Sequence, residues 1–367
     1  MISRLAFVAT AIATVVATVG AQQRPVFHSE ADYVEVDAVV TDKQGEFVPG
    51  LTAADFDVRE AHQPQRLEIA DLVDLGTKDR PASVPSAPMR IRPGLAINPA
   101  TVSGRVYLLF FSWSTPLSLA EGGRHAREFI TDFVEPGDLV GIWNSGTTLT
   151  FTTDKAELLK SLPPYNFTSG ATSNPHELID AVQWLGGMQG RRKSLLLFSP
   201  GWPALGAGFT GMPWVTGGPA RFAMPADLGL MFSSTLGDVA GRTDVQVYAI
   251  DSRGLVAPPL WNGAPMFSTP ASNTAMDTAL QLSESLDQVS ASVDGLRSLA
   301  DESGGFAIVN TNSDRKGFAR IVEDNSRYYV LGFSSSVHPP PRRAVALSVK
   351  VLRPGLSVRA RKSYVPR

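Results

Sequence analysis

The 367 residues, 43% hydrophobic and 19% charged, supply enough apolar side chains for a sizeable core and enough length for two or three domains. A formal net charge of -2 gives no overall pull toward nucleic acid or anionic membrane, which argues against a dedicated nucleic-acid binder. The absence of cysteine excludes disulfides, thiolate metal sites and cysteine nucleophiles.

Residues 1 to 21 carry Arg4, an apolar run over 5 to 19, and Val19-Gly20-Ala21 before Gln22, the pattern of a secretory signal peptide with small residues at its cleavage point. It lacks the cysteine that lipid attachment needs. No later segment approaches the ~20 apolar residues of a membrane span. The expectation is an exported chain, periplasmic or extracellular, with no span after cleavage.

From 33 to 40, Val34, Val36, Ala38 and Val40 alternate with other residues at the period of a half-buried strand, and Asp42-Lys43-Gln44-Gly45 supplies a turn. Thr52 and Asp55 are spaced as a capping box, and strands are expected at 56 to 59 and 67 to 75. Residues 27 to 76 thus form a small β module, which at about 50 residues is marginal alone and is expected to pack on a neighbour. Residues 77 to 103, with Pro81, Pro85, Pro88, Pro93 and Pro99, read as a linker.

The run 105 to 114 (Arg-Val-Tyr-Leu-Leu-Phe-Phe-Ser-Trp-Ser) is apolar without alternation and ends in small hydroxyls, as a central parallel strand does. Ala126, Phe129, Ile130 and Phe133 share one helical face, closed by Pro136-Gly137. A strand at 139 to 143 and an antiparallel edge strand at 147 to 152 follow, then helices begun by Asp154 and by Asn174-Pro175. Further strands at 193 to 198, 245 to 250 and 306 to 309 alternate with helical stripes, the last helix carrying Phe318, Ile321 and Val322. This order over 104 to 335 predicts a doubly wound, mostly parallel α/β sheet with helices on both faces. A strand at 328 to 333 closes that domain, and 336 to 367 reads as a hairpin turning at Pro354-Gly355 that packs with the N-terminal module.

Four phrases follow one another along the chain: Tyr33-Val-Glu-Val-Asp-Ala-Val-Val-Thr-Asp, Pro136-Gly-Asp-Leu-Val-Gly, Gly190-Arg-Arg-Lys-Ser-Leu-Leu-Leu-Phe-Ser and Arg361-Lys-Ser-Tyr. In these, and in that order, the chain resembles a von Willebrand factor A-type domain, in the bacterial exported subgroup with a preceding β module. The resemblance implies an adhesion or protein-contact role and a metal site of Asp-x-Ser-x-Ser, a later Thr and a second Asp. Here Ser112 and Ser114 are present, Thr172 matches the Thr, Phe110 stands at the first Asp and Pro200 at the second. Mg2+ binds through carboxylates that hydroxyls do not replace, so the site is read as degenerate and metal-free, with Asp251 the one candidate substitute acid.

Gly187 to Ser194 has a superficial likeness to a phosphate loop, but it precedes a strand and Arg192 replaces a required Gly, so it reads as a solvated turn. The five histidines show no ligand pair and read as isolated. The loops 200 to 225 and 253 to 274 carry Trp202, Trp214 and Trp261 and rise from the same sheet edge as Ser112. The basic C-terminus, with Arg353, Arg359 and Arg361 among others, reads as an exposed hairpin that resists edge pairing. The functional expectation is an unidentified protein partner contacting Ser112, Trp113, Ser114, Thr172, Asp251, Trp202, Trp214 and Trp261, without catalysis or cofactor. The alternatives are a divalent-metal-dependent adhesin and, from another class, a hydrolase that brings Ser112 to a base such as His176.

Overall fold

In the computed structural model the described residues are 33–76, 89–90, 104–112, 116–143, 150–162, 175–188, 192–201, 235–236, 239–240, 242–255, 275–335 and 343–365. Strand β6 (Val106–Phe111) is buried along its whole length, as a run with no polar face must be. It pairs in parallel with β7 (Leu139–Trp143) on one side and with β9 (Lys193–Ser199) on the other. β10 (Val245–Asp251) and β11 (Ala307–Ile308) continue the parallel run past β9. On the other flank β8 (Thr150–Thr152) and β5 (Met89–Arg90) are antiparallel, so the order is β11-β10-β9-β6-β7-β8-β5. Two residues of the expected linker, Met89 and Arg90, form the edge strand β5, opposite Phe151 and Thr150 of β8.

Alternate side chains of these strands face opposite layers. Val106, Leu108 and Phe110 of β6, with Leu195 and Leu197 of β9, pack on α3 (Pro175–Gly186) and α4 (Ala275–Glu302). Tyr107, Leu109 and Phe111, with Leu196 and Phe198, pack on α1 (Pro116–Asp132), α2 (Lys155–Ser161) and α5 (Arg315–Ser326). The protein is therefore α/β, with helices on both faces of a mostly parallel sheet. Gly122 of α1 faces Phe111 and Phe198, and a Cβ there would lie 3.4 Å from both, an ordinary van der Waals contact, so alanine would fit this position and is favoured in a helix by ~1 kcal/mol.

Two antiparallel sheets, β14-β1-β12-β4 and β15-β13-β2-β3, enclose a separate apolar core. Their strands are β1 (Tyr33–Thr41), β2 (Phe56–Glu60), β3 (Gln63–Gln65), β4 (Ile69–Asp74), β12 (Arg327–Ser334), β13 (Val345–Val351), β14 (Ser357–Arg359) and β15 (Ser363–Tyr364). Tyr329 stacks on Phe47 at 5.6 Å, and its hydroxyl donates to Val48 O (2.9 Å) while accepting from Leu51 N (3.0 Å), so a buried phenol is fully satisfied.

Two expectations are corrected here. β12, expected within the 104 to 335 α/β domain, lies instead between β1 and β4, because Leu331 and Phe333 pair with Val36 and Val34 and share their buried face. Residues 356 to 364 are not one return strand either: β14 pairs with β1 and β15 with β13, the chain changing sheets after Arg359. The N- and C-terminal strands are thereby interleaved, β13 also pairing with β2.

Candidate functional site

β6, β9 and β10 end side by side, with Phe111 opposite Phe198 and Ser199 opposite Asp251. Carboxyl ends of parallel strands are where α/β sheets present ligand-binding groups. Ser112, half-buried, donates its N–H to Phe198 O at 2.9 Å. Ser199 Oγ donates to Gly201 O at 2.7 Å, which closes a tight turn around Pro200. Gly201 adopts φ +140, and a Cβ there would lie 2.7 Å from Ser292 Cβ of α4, so only glycine fits.

Asp251 is the acid of this edge, and the structure corrects its expected availability. Its side chain is 0% exposed. Arg253 folds back over it, Nε donating to Oδ1 at 2.9 Å and Nη2 to Oδ2 at 2.8 Å, with its own backbone N–H adding a third bond at 3.0 Å. Arg253 Nη1 continues to Ser292 Oγ at 3.1 Å. A bidentate guanidinium supplies the positive charge the carboxylate requires, which leaves Asp251 no face for a partner.

Phe110 is 1% exposed and stacks on Trp143 at 6.4 Å, turned into the α3 and α4 layer. Its side chain offers no oxygen. Among the described residues no group of three or more His, Asp or Glu could hold a metal ion. Trp113, Ser114, Thr172, Trp202, Trp214 and Trp261 lie outside the described residues.

Two features escaped the pattern reading. His125 is not isolated: its Nδ1 meets the carboxylate of Asp314, at the start of α5, both side chains 1% exposed, and its Nε2 lies 3.0 Å from Arg124 Nη2. The helical spacing to Phe129 carried that signal, since residues four apart share a face.

The second is a charged junction at the opposite, amino edge. Arg105 donates through Nε and Nη2 to Asp138 at 2.9 and 2.6 Å, and through Nη1 to Ser326 at 3.1 Å. Arg359 grips Asp324 with two bonds of 2.6 Å. Arg192 lies over the Tyr328 ring at 5.1 Å, its Nη1 3.9 Å from Asp37 of β1, and Arg361 stands 3.6 Å from Asp244. Burial first, then the charge of Asp244, pushes the Asp37 carboxyl up to about 7. Arg192 and Arg361 therefore join the terminal strands to the amino ends of β9 and β10, and Arg359 joins β14 to α5, which corrects their reading as parts of a solvated turn and an exposed hairpin. Buried cations need fixed partners, and those partners come from segments remote in sequence.

No family model matches the chain, and no curated protein does. Among solved structures the chain is similar to an aerotolerance-related membrane protein from Bacteroides fragilis NCTC 9343, crystallised with multiple mutations to serines. The two are 16% identical, with 60% of this chain and 98% of that chain covered at a TM-score of 0.33. Among the described residues no helix is long and apolar enough to cross a membrane.

Proposed function

We propose that the chain is an exported, von Willebrand A-like binding or scaffold module that engages a protein partner at the carboxyl edge of its parallel sheet without a divalent ion and without catalysis. The observation that carries this reading is the Asp251–Arg253 pair: the acid that ends β10 at this edge already has a resident cation. The burial of Phe110 supports it, since a metal site of this kind would need an anionic oxygen there. Residues 1 to 21 support export.

The test is site-specific photo-crosslinking from a benzophenone side chain placed at Ser112, on cells expressing the full chain. The reading expects the same crosslinked partner with chelator as with added Mg2+. A partner captured only when Mg2+ is present would favour the metal-dependent adhesin instead.

A further inference from the structure

Sheets expose unpaired backbone donors and acceptors along their edge strands, and folded proteins blunt those edges with short strands, Lys, Pro or bulges. Among the described residues the edge strands β14, β3, β15, β11 and β5 are two or three residues long. β4 is six residues long, pairs only with β12 among the described strands, and its sequence Ile-Ala-Asp-Leu-Val-Asp contains neither Lys nor Pro.

The side chains along it are two-sided. Leu72 pairs opposite the buried Tyr329, which puts it on the core face, yet it is 41% exposed because nothing described extends the sheet beyond it. On the other face Asp71 sits opposite Val330, flanked by Ile69 at 38% exposure. Tyr33 lies over Gly332 on that face at 42% exposure, near Glu35, Glu68 and Asp71. Among the described residues no Lys or Arg forms an ion pair with Glu35, Glu68 or Asp71. The rim therefore pairs an uncovered leucine on one face with unneutralised carboxylates on the other.

We propose that β4 is a docking edge for an extended partner segment in which basic and apolar residues alternate, added to the sheet as a further strand. Main-chain hydrogen bonds supply the attachment in this mode and alternate side chains supply the selectivity. The apolar positions cover Leu72 and the core rim, and the basic ones face Asp71 and Glu68. A second copy of the chain fits poorly: pairing two β4 strands about their centre sets the two Asp71 carboxylates on a cross-strand diagonal of ~7 Å, with no base in either strand to offset them. This surface lies apart from the carboxyl edge of the parallel sheet, and its proposal stands whether or not that edge binds a partner.

The probe is a fluorescent heptapeptide, Lys-Val-Lys-Val-Lys-Val-Lys, titrated with the full chain at low salt and followed by anisotropy. The expected result is saturable binding, weakened at least tenfold by Asp71→Lys, an exposed change that leaves the fold intact by circular dichroism. Two further peptides carry N-methyl groups on alternate amide sets. Only one set can face β4, so one peptide must lose binding and the other keep it. No saturable binding, or equal binding of both methylated peptides, or binding indifferent to Asp71→Lys, overturns the proposal. A wild-type dimer in sedimentation equilibrium that Leu72→Lys dissolves would also overturn it, in favour of a second copy.

Discussion

Arg253 closes over Asp251 at the end of β10 through guanidinium hydrogen bonds of 2.9 and 2.8 Å, two residues along the same turn. Truncating one partner of a buried pair strands the other, a loss of ~3 to 5 kcal/mol when both are fully buried. Arg253 is 24% exposed, so water offsets part of it. Arg253→Ala is expected to lower stability by about 2 kcal/mol, seen as a lower urea midpoint at unchanged slope. An unchanged midpoint would mean the pair does not hold the turn.

Phe110 is where the family resemblance would place an aspartate. Its ring is buried against Trp143, and losing a buried Phe side chain costs ~3 to 5 kcal/mol before any buried charge is counted. Phe110→Asp should therefore collapse the thermal transition instead of installing a metal site. A cooperative melt near the wild-type temperature that Mg2+ raises would contradict this.

Asp37 gives the chain a pH dependence of definite sign. Its carboxyl is pushed up to about 7 in the fold, against ~3.9 in an unfolded chain, so the native state holds the proton more tightly. The stabilisation is complete below pH ~4, declines as pH rises toward 7 and is gone above it. Arg192, Lys193 and Arg361 oppose the shift, and Asp244 adds to it. Asp37→Asn removes the titration, so it should gain roughly 2 to 4 kcal/mol on the wild type between pH 5 and pH 8. Parallel stability curves for the two proteins would refute the assignment.

Arg105 and Asp138, 1% and 0% exposed, tie the start of β6 to the turn before β7. Asp138→Ala should cost ~2 to 3 kcal/mol in chemical denaturation, below the ~3 to 5 kcal/mol of a fully stranded charge, because the buried guanidinium keeps the half-exposed Glu135 at 2.9 Å and Ser326 at 3.1 Å. The double change Arg105→Met, Asp138→Leu should recover most of that loss. A double variant no better than the single one would show that the geometry of the bonds, and not the stranded charge, governs the joint.

The parts of this fold legible in the sequence are those where one local property decides the outcome. β6, β9 and β10 are buried on both faces, so their unbroken apolar runs identify them, and Asp154 caps α2 with a bond to Ala156 N at 2.8 Å, as its position suggests. The apolar run of β12 fits either sheet, and the choice lies with Val34 and Val36 some 300 residues away. The same limit hid the carboxyl edge: Asp251 reads as an available acid until the rotamer of Arg253 is known. Arg192, Arg359 and Arg361 look like surface cations because charge patterns carry no information about remote partners such as Asp37, Asp324 and Asp244.

Calorimetric titration of Mg2+, Mn2+ and Ca2+ into the chelator-treated chain tests metal independence directly, with Ser112→Ala, Ser114→Ala and Asp251→Asn as controls. No saturable heat is expected for any of the three ions. Stoichiometric binding that disappears in the controls would contradict it, and would mean that Arg253 yields Asp251 to a divalent cation.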